Sequence, residues 1–184
     1  EDAADAVTFG VYFNVGQCCN SSSRIIVHED IADDFVARVV ELSRKVAFGN
    51  PMHTDTQVGA IVTADHREKI DNYVATAKDA GAEVCLGGGP LSVPGLGDQF
   101  YQPTVVCGVT PDMAIAREEV FGPVLSVLTF RTLDEAISLA NDAEYGLSAG
   151  VFTKDISRAH RVIGKLQAGS CFINSYNDAP VEAP

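Results

Sequence analysis

Two adjacent cysteines, Cys18 and Cys19, stand in the string Gly16-Gln17-Cys18-Cys19-Asn20, and they are the residues of this chain best suited to covalent chemistry. A cysteine reacts as its thiolate, and backbone N–H groups or positive charge aimed at the sulfur favour that form. Gly16 permits tight backbone geometry ahead of the thiols. The run Asn20-Ser21-Ser22-Ser23 follows them with small polar residues whose N–H groups can face a reacting oxygen. Such a set suits nucleophilic attack on a carbonyl carbon. Free cysteine also packs well as a small buried residue, and on composition alone that bland role is the default for both.

The other candidate chemistry is thinner. Cys85, Cys107 and Cys171 are scattered, with no Cys-x-x-Cys pair and no Cys/His spacing suited to zinc, so free thiols and no metal are expected. His28, His53, His66 and His160 show no mutual spacing for a triad and none adjoins Cys19, which leaves a cysteine hydrolase as a weak rival. A second group of interest is Arg117-Glu118-Glu119-Val120-Phe121-Gly122-Pro123-Val124. A carboxylate such as Glu119 can accept two hydroxyl hydrogen bonds. Taken alone, Glu119 reads as a solvated charge and Phe121 as a core aromatic.

The two strings together resemble a known family. Tyr12-Phe13-Asn14-Val15-Gly16-Gln17-Cys18-Cys19 resembles the active-site signature of the aldehyde dehydrogenase superfamily, an aromatic pair followed by Gly-Gln-x-Cys. The downstream block resembles that family's Glu-x-Phe-Gly-Pro motif. Further matches run along the chain: Gly49-Asn50-Pro51 before Val58-Gly59, Tyr101-Gln102-Pro103-Thr104, Asn141 with Tyr145-Gly146-Leu147, Val151 to Asp155, and Ala168-Gly169 before Ile173-Asn174. Most of these are architectural, their glycines and prolines fixing turns.

The resemblance implies oxidation of an aldehyde to the acid through a thiohemiacetal and thioester on Cys19, with hydride passed to NAD or NADP. It implies that Glu119 binds the nicotinamide ribose, that Phe121 borders the nicotinamide ring, and that Phe13, Cys18, Asn20, Tyr176, Asn177 and Glu182 line the substrate pocket. A cationic aldehyde would profit from aromatic faces and a carboxylate there, although Asn177, Asp178 and Glu182 can equally point to solvent. In family order the coenzyme-binding domain, the water-activating Glu and the oxyanion-hole Asn precede residue 1, so the chain is expected to be the catalytic-domain portion, turning over little by itself. Family members are commonly homodimers or homotetramers. The rival of a different class is a non-catalytic interaction module built on the same fold.

Composition narrows the partners. Thirteen Lys and Arg stand against 25 Asp and Glu, a formal charge of −12, and no basic cluster interleaved with aromatics could track a phosphate backbone, so nucleic acid is not expected. No apolar run approaches the roughly 20 residues that span a bilayer, and the first residues lack a basic secretory start, so a cytoplasmic protein without a membrane partner is expected.

Positioning the two motifs requires regular elements around them, and these are legible from periodicity. A helix leads through Ala6, Val7, Gly10 and Val11 into the thiols, followed by a strand at Ser23–His28 and a helix capped by Asp30 carrying Phe35, Val36, Val39 and Val40. Beyond a polar loop at Met52–Gly59, Thr63 or Asp65 caps a helix through Ile70, Tyr73, Val74 and Ala77, which ends at Gly81. Strands are expected at Ala82–Leu86, Thr104–Val106, Val124–Phe130, Ser148–Phe152 and Ser170–Asn174. Gly87–Gln99 reads as a surface excursion, Pro111-Asp112 precedes a short helix, Thr132 with Glu135 makes a capping box, and Ser157–Leu166 is helical. Alternation of strand and helix predicts one domain over 1–184: an α/β fold with an open, mainly parallel twisted sheet and helices on both faces, in three αβα layers.

Overall fold

A computed structural model of the chain describes residues 2–176. Its strands are β1 (Arg24–His28), β2 (Glu83–Leu86), β3 (Thr104–Cys107), β4 (Val124–Phe130), β5 (Ser148–Val151) and β6 (Ser170–Ile173). Its helices are α1 (Asp2–Tyr12), α2 (Glu29–Ser43), α3 (Ala64–Asp79), α4 (Ala114–Arg117), α5 (Leu133–Asn141) and α6 (Ile156–Ile163). The alternation read from the sequence is therefore present, and the fold is α/β.

Four strands form one sheet in the order β1-β4-β3-β2. β4 lies at its centre, parallel to both β1 and β3, and its first five residues, Val124 to Leu128, are all buried. A strand covered on both faces needs a continuous apolar run instead of alternation, which is what Val-Leu-Ser-Val-Leu provides. The one hydroxyl in that run, Ser126 Oγ, donates to the Ile115 carbonyl at 3.3 Å. Helices α1, α2 and α5 pack on β4.

The strand pairs are mainly parallel, as expected, and two features lie beyond what the sequence showed. β2 runs antiparallel to β3. Parallel return needs a crossover element of a dozen or more residues, usually a helix, and the 87–103 connection holds none, only an antiparallel Pro90–Tyr101 bridge. In addition, β5 and β6 form a separate parallel pair, so the described residues hold two sheets where one was expected.

The antiparallel pairing also corrects the expectation of five free thiols. Cys107 lies opposite Glu83, with Cys85 in the irregularity of β2, and Cys85 and Cys107 are joined in a disulfide with Cα atoms 6.3 Å apart. Cys18, Cys19 and Cys171 are free. Linear spacing could not have shown a bridge that depends on strand register across a long loop.

Caps fix where the helices begin. Thr63 accepts from the His66 N–H at 3.1 Å, and the Thr132/Glu135 capping box forms as read. Two starts differ from expectation. α2 begins at Glu29 with His28 Nδ1 accepting from Asp30 N–H, because a ring nitrogen two residues ahead reaches the same donor that a carboxylate would. α6 begins at Ile156 behind Asp155, whose carboxylate accepts from the Arg158 N–H at 3.0 Å. Among the described residues no helix is long and apolar enough to cross a membrane.

Candidate active site

Between α1 and β1 the chain makes an abrupt turn. Asn14, Val15 and Gly16 all take positive φ, at 49°, 56° and 73°. Such backbone is costly for a β-branched residue and persists only when its surroundings over-determine it. Here Asn14 Nδ2 donates to the Gln17 carbonyl at 2.8 Å, Gln17 N–H donates to the Asn14 carbonyl at 3.0 Å, and Val15 is buried. Gln17 is anchored further by its Oε1, which accepts from the Val62 N–H at 3.0 Å.

The thiols follow at once. Ser21 N–H donates to the Cys18 carbonyl at 3.0 Å, which closes a β-turn with Cys19 and Asn20 at its centre. Cys18 is half-buried and its Sγ donates to Asn20 Oδ1 at 2.9 Å. Cys19 is exposed at the tip, and its N–H makes no backbone hydrogen bond among the described residues. An exposed thiol beside a free N–H is the arrangement needed to attack a carbonyl and hold the oxygen that becomes negative.

The downstream motif lies against this turn. Gly16 and Gly122 are in backbone contact: a Cβ added at Gly16 would fall 2.0 Å from the Gly122 carbonyl oxygen, and one added at Gly122 would fall 2.5 Å from Ile70 Cδ1. Phe121 is held at a φ of 55°, its carbonyl bonded to His66 Nε2 at 2.7 Å and its ring edge-on to that imidazole at 6.1 Å. Of the two acids, Glu118 accepts from the Tyr73 hydroxyl at 2.6 Å, and this hydrogen bond is the main cause of the Tyr73 phenol being pushed up to about 12. Glu119 is exposed.

Cys18, Cys19, Glu119, Phe121 and Tyr176 all line one cavity of about 1430 Å³, which extends along the edges of β1 and β5. Its volume exceeds the roughly 300–1,000 Å³ of ordinary small-molecule sites. Phe13 and Asn20 are not among its lining residues. Phe13 is 47% exposed and stacks on Phe9 at 5.5 Å, while Asn20 accepts from the Cys18 thiol. Asn177 and Glu182, with Asp178, lie outside the described residues. Among the described residues no three His, Cys, Asp or Glu side chains cluster to hold a metal.

Sequence reasoning passed over three residues that shape this site. Gln17 was visible only as a letter of the thiol string, and its anchor at Val62 is 45 residues away. His66 carried no sequence signal for its hold on Phe121. Arg24 did carry one, as a lone charge opening an apolar strand. Its guanidinium donates to the carbonyls of Ala116 at 3.1 Å and Ala140 at 2.9 Å, tying the ends of α4 and α5 to β1, and burial is the main cause that lowers its pKa.

Comparison with known proteins agrees with this geometry. The profile of the aldehyde dehydrogenase family matches residues 1–184. Similar proteins include betaine aldehyde dehydrogenases of Mesorhizobium japonicum, 48% identical, and Brucella anthropi, 45% identical, each over all of this chain and 38% of the relative. A crystal structure of an NAD-dependent aldehyde dehydrogenase from Sinorhizobium meliloti superposes with a TM-score of 0.95 at 49% identity, over all of this chain and 36% of that one. A point mutant of a betaine aldehyde dehydrogenase from Staphylococcus aureus, in complex with NAD+ and with a BME-modified cysteine, superposes equally well at 41% identity, over 38% of its length. The chain thus spans a little over a third of the relatives it matches. With its thiol turn and its Glu-x-Phe-Gly-Pro block in contact and a family match along its entire length, this chain belongs to the aldehyde dehydrogenase family.

Proposed function

We propose that this segment is the thiol-bearing part of an NAD(P)-dependent aldehyde dehydrogenase in which Cys19 is the nucleophile. The observation that carries the proposal is the backbone contact of Gly16 with Gly122, which brings the thiol turn and the Glu119–Phe121 pair onto one cavity. In the reaction the Cys19 thiolate adds to the aldehyde carbon, forming a C–S bond and leaving an oxyanion that the Cys19 N–H is free to stabilise. Loss of hydride from that carbon leaves a thioester on Cys19, and hydrolysis returns the thiol and releases the acid.

The residues present suit a nicotinamide coenzyme. Glu119 is an exposed carboxylate on the cavity wall, suited to two ribose hydroxyls, and Phe121 offers a ring whose backbone is held by His66. When bound, the nicotinamide supplies the hydride acceptor. Relatives named as betaine aldehyde dehydrogenases support a quaternary ammonium aldehyde as substrate, and Tyr176 provides an aromatic group in the cavity for such a cation. We propose the cytoplasm as the compartment of the whole protein, because a nucleophile that must remain a thiol is preserved in reducing surroundings, and a homodimer or homotetramer as its assembly, as the family resemblance implies.

The test is Cys19→Ala in the full-length protein. NADH formation with betaine aldehyde should fall by more than about a thousandfold while the circular dichroism spectrum is retained. Unchanged turnover would remove Cys19 from the chemistry and favour a non-catalytic interaction module.

A further inference from the structure

Residues Glu118 to Pro123 connect α4 to β4 with no helix or strand of their own. Phe121, in the middle of that connection, is nevertheless held at a φ of 55°, a conformation uncommon for a bulky residue that persists only where the surroundings impose it. Those surroundings come from one helix. On α3, His66, Ile70 and Tyr73 recur at the spacing that places side chains on a single face. Each meets the connection at a different residue. His66 Nε2 donates to the Phe121 carbonyl at 2.7 Å, Ile70 leaves no room for a side chain at Gly122, and the Tyr73 hydroxyl donates to Glu118 at 2.6 Å.

His66 is the best placed of the three. Its own N–H donates to the capping hydroxyl of Thr63 at 3.1 Å, so the start of the helix fixes its backbone, and its half-buried ring meets the Phe121 ring edge-on at 6.1 Å. A carbonyl only accepts, so Nε2 carries the proton. One residue ahead of the cap, the Val62 N–H donates to Gln17 Oε1 at 3.0 Å. The first turn of α3 therefore grips the thiol turn on one side and the Phe121 backbone on the other. Loss of the imidazole bond removes a contact that offsets the cost of the left-handed backbone, so Phe121 relaxes toward negative φ and its ring turns from the cavity wall it now lines.

We infer that His66 is a positioning residue for the coenzyme: it holds Phe121 where the ring borders the nicotinamide, while Tyr73 steadies the Glu118 end of the same connection. His66 acts through the Phe121 backbone. Its effect therefore falls on coenzyme affinity and not on the thiol, whose turn is held separately by the Gln17–Val62 hydrogen bond. Losing one hydrogen bond of this kind shifts an equilibrium by about three- to tenfold. The inference rests on the reading of Glu119 and Phe121 as coenzyme residues.

The test compares the full-length protein with its His66→Leu variant, which removes the donor and keeps comparable bulk. The dissociation constant of NAD+, measured by calorimetry, should rise about three- to tenfold, while Cys19 alkylation by iodoacetamide without coenzyme keeps its wild-type rate. His66→Gln, whose amide nitrogen donates from nearly the same place, should recover the affinity to within about twofold. A merely structural role would lower the melting temperature of both variants without separating their NAD+ affinities, and that result would overturn the inference. An alkylation rate that falls in step with affinity would overturn it too. Should His66→Leu fold poorly, His66→Asn, whose amide is too short to reach the Phe121 carbonyl, takes its place with the same expected loss. The two readings fail separately. Unchanged NAD+ affinity in Glu119→Gln discards the coenzyme role of the block, whereas weakened binding in Glu119→Gln beside an unaffected His66→Leu discards His66 alone.

Discussion

The contact between Gly16 and Gly122 gives glycine a role at the thiol turn that a search for reactive side chains does not find. At a φ of 73°, with the Gly122 carbonyl 2.0 Å from where a Cβ would sit, Gly16 cannot take a side chain without displacing the neighbouring backbone. Left-handed backbone alone costs an L residue roughly 1–2 kcal/mol, and the clash adds to it. Gly16→Ala should lower the melting temperature by at least about 5 °C and reduce aldehyde oxidation more steeply than stability, because the turn is pushed away from Glu119 and Phe121. Differential scanning calorimetry alongside NADH formation would check this, and an unaffected melting temperature would contradict the contact. Cys19, Glu119 and Phe121 were legible as residue types in recognisable strings. Their meeting was not, since about 100 residues of chain separate the two strings.

At the scale of elements, Arg24 does what no helix or strand propensity encodes. Its fork collects carbonyls at the ends of two helices and binds them to the edge strand β1 beneath the site. Removing it leaves part-buried carbonyls unpaired, so Arg24→Ala should cost about 1–3 kcal/mol by chemical denaturation, and Arg24→Lys should recover only part because an ammonium cannot reproduce the fork. Two asparagines act similarly in place of backbone. Asn174 exchanges two hydrogen bonds with Thr153, at 2.8 and 2.9 Å, and Asn141 bridges the Lys165 carbonyl and the Gln167 N–H, holding the β5–β6 unit to its helices. Elements whose signals are local were readable: the Thr63 cap, the Thr132/Glu135 capping box and the apolar run of β4 each depend on residues within a few positions of one another. The direction of β2 was not, because it follows from the lack of a helix in the connection to β3.

For the whole molecule, the open edges matter most. Among the described residues β1 pairs only with β4 and β5 only with β6, and both strands line the cavity that also holds Cys19. Unpaired edges with apolar strands such as Arg24-Ile25-Ile26-Val27-His28 invite pairing with other chains. Expressed alone, the 184-residue segment should therefore self-associate with rising concentration, as sedimentation velocity would show, and the full-length protein should protect β1 amides from hydrogen exchange far better than the segment does. A strictly monomeric segment with equal protection would count against the edges being open.

The sequence by itself determined the order and kind of the elements, the Thr63 and Thr132 caps, and the two strings that carry the chemistry, because periodicity, capping and turn preferences act over a few residues. Only the tertiary structure decided the rest: the division into two sheets, the antiparallel β2, the Cys85–Cys107 bridge and the Gly16–Gly122 contact. Each of these depends on which distant backbones come within a few ångströms of one another. That is set by packing the whole core, and no local run of residues records it.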